Sequence, residues 1–293
     1  MTTIENKLAK IQQEIYHYES GIAKDSGSPK AYEIGYSAKL SFFKVGDLYD
    51  ISFFGDGYDD DPTTKATDFT YDTNVPFCLF LEFLCEPENA AQIISLEFTG
   101  PDQGANGSKG WRFSRLINSG VIFPMLKSFK VQLTDLADHN NSIIDGGFLE
   151  ENGVVAKLIS KMPQLETLVI PSAPDESFFK IGNHPLKNLT IQVGYQNQNF
   201  IDNLAKSENF NQLKYLDFTD ILDYYTVDAE YFTNAESFLR LFNSKAFSTV
   251  TVFKLRNSAL ELDKIYELQR TKEDLLFNWV NCYGGAYVRN IMQ

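Results

Sequence analysis

The chain has 293 residues, enough for about two structural units of roughly 150 residues or for one elongated unit. Its 43% hydrophobic and 14% aromatic content, with 24 Phe and 15 Tyr, calls for a large folded core and excludes a disordered, collagenous or coiled-coil chain. The 26 basic and 39 acidic residues leave a net charge of −13, which repels phosphate and argues against nucleic acid or an anionic membrane as partner.

At the N-terminus, Ile4, Leu8, Ile11 and Ile15 form an apolar stripe behind a Thr2-x-x-Glu5 start, which predicts an amphipathic helix from residue 2 to about 18. The segment lacks the apolar core of a secretory signal, and no run of about 18 apolar residues occurs anywhere in the sequence. Cys78, Cys85 and Cys282 are too few for a disulfide-stapled extracellular scaffold, so a cytoplasmic location is expected; export without a cleaved signal would leave the same sequence. After a DSGSP loop, AYEIGYSAKLSFFKVG and LYDISFFGDG read as strands, the second ending in a turn at Gly55-Asp56-Gly57. VPFCLFLEFLCE reads as a buried helix.

Residues 46–89 hold eleven acidic groups against Lys65 alone, 11 − 1 giving −10 of the total −13. The run Asp56-Gly-Tyr-Asp59-Asp60-Asp61 offers oxygen ligands but fails the EF-hand spacing, and is expected to be a solvated acidic hairpin tip, the alternatives being a docking surface for a basic partner and a calcium site.

Further along, one short apolar pattern recurs six times. The copies are Ile93/Leu96/Phe98, Leu126/Phe129/Val131, Leu165/Leu168/Ile170, Leu186/Leu189/Ile191, Leu213/Leu216/Phe218 and Val250/Phe253/Leu255. The last three positions of each copy alternate in, out, in, as a strand with one buried face does. Pro124, Pro163 and Pro185 precede three of them and mark strand entry. Helical spacing fills the gaps, as at Val154, Val155, Leu158 and Ile159, and at Phe200, Ile201, Leu204 and Ala205. A capping box at Thr233-Asn-Ala-Glu236 opens another helix. LELDKIYEL and EDLLFNWV read as two closing helices.

The six cores match L-x-x-L-x-L, and the chain from about 91 to 258 resembles the leucine-rich repeat family, in an irregular bacterial type. The resemblance implies an α/β solenoid with a parallel sheet on its concave face and helices on its convex face. Residues 1–90 would be an α+β cap and 259–293 a helical cap, because the end of a solenoid exposes its core. Successive copies start 33, 39, 21, 27 and 37 residues apart, so only two intervals fall within the roughly 20–29 usual for the family. Thr134 and Ser258 stand where the family places an asparagine or cysteine that satisfies loop backbone groups. The insertions GPDQGANGSKGWRF and LTDLADHNNSIIDGG are expected to decorate the rim, the first as a flexible glycine-rich loop around Gly104, Gly107 and Gly110.

No G-x-S-x-G elbow, H-E-x-x-H or Walker loop is present, and His17, His139 and His184 read as surface or turn residues. No cofactor is implied. The candidate binding residues are those between the buried positions of the six strands: Ser95, Glu97, Ser128, Lys130, Thr167, Asn188, Thr190, Tyr215, Asp217 and Lys254. Tyr215 and Asp217 stand out as an exposed tyrosine beside a charge. A mixed-polarity sheet face suits a protein or peptide ligand, and the resemblance implies a non-enzymatic interaction module. The alternatives are an enzyme whose site lies in residues 1–90, with repeats selecting the substrate, and a secreted bacterial factor acting on host proteins.

Overall fold

The computed structural model describes residues 3–25, 38–58, 74–102, 107–135, 138–148, 150–220, 231–283 and 290–292. Thr2, the 26–29 loop, Asp59, Asp60, Asp61, Lys65, Asp68, Asp72 and Gly104 lie outside them. The chain opens with α1 (Ile4–Asp25), which buries Ile4, Leu8 and Ile15 as the apolar stripe requires. The helix runs past the expected end near residue 18, and Thr3 supplies a cap, its Oγ1 accepting from Asn6 N at 3.3 Å. A two-residue turn at Gly46 and Asp47 joins β1 (Lys39–Val45) to β2 (Leu48–Phe54) as an antiparallel hairpin. Helix α1 lies against β1, where Gln12 Oε1 and Glu19 Oε1 accept from Leu40 N and Ala38 N at 2.6 Å each. These two side chains occupy the backbone donor of Leu40 on the outermost strand and that of Ala38 just before it, which blunts a free sheet edge.

The buried helix is α2 (Val75–Leu84), capped by Asn74 Oδ1 accepting from Phe77 N at 3.1 Å. Only Glu82 of its ten residues escapes burial, and it pairs with Arg115 at 3.2 Å. A single turn, α3 (Pro87–Ala90), leads into β3 (Ile93–Thr99). There follow β4 (Gly107–Trp111), α4 (Ser114–Asn118), β5 (Ser128–Val131), β6 (Asn140–Ile144) and α5 (Val154–Ile159). Next come β7 (Thr167–Ile170), β8 (Asn188–Gln192), α6 (Phe200–Lys206) and β9 (Tyr215–Thr219). The chain closes with α7 (Ala235–Phe242), β10 (Val252–Arg256), α8 (Leu262–Thr271), β11 (Leu276–Tyr283) and β12 (Asn290–Met292).

The fold is α/β, built on one large, mostly parallel sheet of order β1-β2-β3-β5-β7-β8-β9-β10-β11-β12. The six repeated segments are β3, β5, β7, β8, β9 and β10, adjacent and parallel in chain order. Their register turns the repeated apolar positions into continuous buried rungs. One runs Ile51, Leu96, Phe129, Leu168, Leu189, Leu216, Phe253 and Phe277 across eight strands. Helices pack on this apolar side in a row, α1 on α2, α2 on α4, α4 on α5, and α6 on α7 on α8, with a 3-10 turn at Glu176–Lys180 bridging α5 and α6. Aromatic rings fill the layer between, with Phe200 stacked on Phe218 and Phe242 edge-on to Phe253.

Four expectations are corrected. EDLLFNWV is not a helix: residues 276–280 lie parallel to β10, Leu276 N donates to Thr251 O at 2.9 Å, and Phe277 and Trp279 turn toward the core. The C-terminal segment therefore extends the sheet as well as adding α8. The two insertions are not loose decoration, because β4 and β6 pair in parallel as a second sheet, and every residue of β6 is buried. Gly57 is not at a hairpin tip: its carbonyl accepts from Arg112 N at 2.8 Å, and a Cβ there would meet the Trp111 ring at 2.3 Å, so only glycine fits. Finally, the cap of α7 is Asn234, whose Oδ1 accepts from Ser237 N at 2.9 Å, while Thr233 N donates to Asp220.

Thr134 and Ser258 both accept from backbone nitrogens, Thr134 from a residue of β6 and Ser258 from one in the loop after β10. Thr134 Oγ1 accepts from Ser142 N at 2.9 Å, and Ser258 Oγ accepts from Leu260 N at 3.2 Å. Gln192 adds a second buried bridge, its Oε1 accepting from Thr134 N and its Nε2 donating to Thr134 O.

Candidate binding face

Strand alternation sends the residues between the buried positions to the opposite side of the sheet. All ten candidates lie on two neighbouring outer rungs. The first runs Asp50, Ser95, Ser128, Thr167, Asn188, Tyr215, Val252 and Leu276; the second runs Ser52, Glu97, Lys130, Val169, Thr190, Asp217, Lys254 and Asn278. These positions are half-buried or exposed, with one exception. The charges sit opposite one another in the register, Glu97 across from Lys130 and Asp217 across from Lys254. Between them lies an uncharged stretch of Thr167, Val169, Asn188 and Thr190. At the two ends the face turns apolar, with Phe43 72% and Leu276 59% exposed.

The exception is Asp217, only 5% exposed. Its carboxylate accepts from Arg256 Nε at 2.7 Å, Arg256 Nη2 at 3.0 Å and the Tyr215 hydroxyl at 3.1 Å. Lys254 Nζ sits 4.0 Å from the same carboxylate and 5.4 Å from the centre of the Tyr215 ring. Asp217 is thus the buried hub of a cross-strand cluster rather than an exposed anchor, and its removal would leave cations without their counter-charge. Tyr215, Lys254 and Arg256 present the surface of that cluster. Arg256 was not among the expected residues, because it lies one position beyond the last apolar residue of its repeat.

The acidic groups of residues 46–89 that fall in the described part do not gather. Asp47 is in the hairpin turn, Glu82 pairs with Arg115, and Glu86 and Glu88 hold Lys7 at 2.9 and 2.6 Å. Among the described residues no three His, Cys, Asp or Glu side chains come together as metal ligands.

The histidines differ from one another. His17 is exposed on α1, and His139 Nδ1 lies 2.6 Å from Asp102 Oδ2, a partner supplied by the other insertion. His184 is 6% exposed rather than on the surface, with Nε2 donating to Met162 O at 3.2 Å. Burial holds the His184 imidazole below its ordinary range, against the opposing pull of the Met162 carbonyl. The unfolded chain therefore takes up this proton first as pH falls. The contribution is fully present above the ordinary histidine value of about 6.5 and is lost as pH drops through and below it. Chemical denaturation between about pH 7 and 5 should show the parent chain losing stability faster than a His184→Gln variant; parallel pH profiles would contradict this placement.

Two further ionisable groups are held by structural hydrogen bonds, Lys109 half-buried and Glu151 buried. Lys109 Nζ donates to Pro101 O at 3.2 Å and Gln132 Oε1 at 3.0 Å above the Trp111 ring, and burial pushes its amine down to about 8. Burial pushes the Glu151 carboxyl up, opposed by backbone N–H donors from Val155, Gly153 and Asp175.

Comparison of the chain with protein-family models, with curated proteins and with solved structures finds no match in any of the three. Among the described residues no helix is long and apolar enough to cross a membrane.

Proposed function

We propose that the chain is an irregular leucine-rich-repeat-like solenoid and a non-enzymatic interaction module, binding a protein or peptide across the outer rungs of its large sheet. The observation that carries this reading is the continuity of those rungs over eight parallel strands, on the side that the helices leave open. Such a surface is long, shallow and mixed in polarity, with an uncharged centre between charged flanks, which suits a polypeptide better than a small metabolite. The surplus of acidic charge disfavours nucleic acid and anionic membrane as the partner. Three cysteines are too few for a disulfide-stapled scaffold, in keeping with a reducing cytoplasm.

The test is steric. Ser128→Trp combined with Asn188→Trp places two rings over the centre of the face, where neither parent side chain is buried. The double variant should lose the protein that the parent chain captures from an extract, while its stability stays within about 0.5 kcal/mol. Undiminished capture by a folded double variant would move the site off this face.

A further inference from the structure

Beyond the C-terminal ends of β7 and β8 lies a groove of about 210 Å³, with Phe148, Glu150, Tyr195, Gln196 and Gln198 among its walls. That volume is below the roughly 300–1,000 Å³ of small-molecule sites and matches a single side chain. Phe148 is 97% exposed and holds φ at 55°, in the left-handed region that a bulky residue rarely adopts. Neither burial nor backbone preference accounts for a phenylalanine there. Tyr195 is 42% exposed, and its hydroxyl is hydrogen-bonded to Ser108 of β4, which fixes the ring at the groove. Glu150 is exposed, and Gln196 Nε2 donates to its Oε1 at 3.2 Å while Gln198 Nε2 donates to Gln196 Oε1 at 3.4 Å. Among the described residues no Lys or Arg lines the groove.

Two accessible aromatic rings beside an exposed carboxylate form a site for a cation. We propose that the groove takes one arginine side chain of a partner polypeptide, its guanidinium against the rings of Phe148 and Tyr195 and paired with the Glu150 carboxylate. Arginine fits better than lysine because its planar, weakly hydrated head stacks on rings while pairing in its own plane. The net charge of −13 draws a basic segment to the protein. This site is separate from the sheet face and does not depend on it.

The test is a ligand-observed NMR titration of the full chain with N-acetyl-arginine amide and with N-acetyl-citrulline amide, which has nearly the same shape without the charge. Saturable binding of the arginine probe is expected, weakened by salt, with the citrulline probe at least about tenfold weaker. Phe148→Gly suits the left-handed backbone better than the parent residue, so its thermal midpoint should be equal or higher. Both Phe148→Gly and Glu150→Gln should bind the arginine probe about three- to tenfold more weakly. Absence of saturable arginine binding, equal binding of the two probes, or full affinity in either variant would overturn the proposal.

Discussion

Phe98→Ala is expected to destabilise the protein by about 3–5 kcal/mol, among the largest losses available to a single substitution in this core. The ring is fully buried, and its centre lies 5.1 Å from that of Phe113, 5.5 Å from Phe129, 5.9 Å from Phe80, 6.0 Å from Trp111 and 6.2 Å from Phe77. Those neighbours come from α2, from β4, from the start of α4 and from β5. Phe98 therefore joins α2, the small second sheet and the main sheet at one point, and a cavity there cannot close by shifting one element. Denaturant unfolding measures the loss; a value under about 1.5 kcal/mol would mean that the aromatic layer is looser than the ring distances imply.

The second large effect concerns one rung. Leu168, Leu189 and Leu216 are paired in register on β7, β8 and β9, and each is at most 1% exposed. Each replaced by Ala should cost about 2–5 kcal/mol. Losses below about 1 kcal/mol at all three would place the opposite face of the sheet inside.

The main sheet was legible because its strands carry period-2 patterns that need no partner to be seen. Leu96 and Phe98, or Leu189 and Ile191, announce one buried face by spacing alone, and once the strands pair in register the outward residues fall on common rungs. The second sheet was not legible. Its strands, GSKGW and NNSII, are rich in glycine and polar residues, and their burial depends on distant partners: Trp111 Nε1 donates to Ser142 Oγ at 3.2 Å, and Ile144 N donates to Ser172 Oγ at 2.9 Å. No local period records such bonds. β11 was misread for a different reason: Leu275, Leu276, Phe277, Trp279 and Val280 are dense enough in apolar character to satisfy helical spacing, and the open edge of β10 decides for the strand. The misjudged exposure of Asp217 has the same origin. Alternation correctly puts it on the outer face, but the arginine that covers it arrives 39 residues later in the sequence.

The claim that the outer rungs contact the partner is tested most directly by crosslinking from defined positions. A photoreactive residue at Thr190 lies at the centre of the outer face, and one at Lys157 lies on the exposed side of α5, behind the sheet. Irradiation of the bound complex should yield a covalent adduct with the partner from position 190 and none from position 157. An adduct from position 157 without one from position 190 would contradict the account, and would assign binding to the helical side.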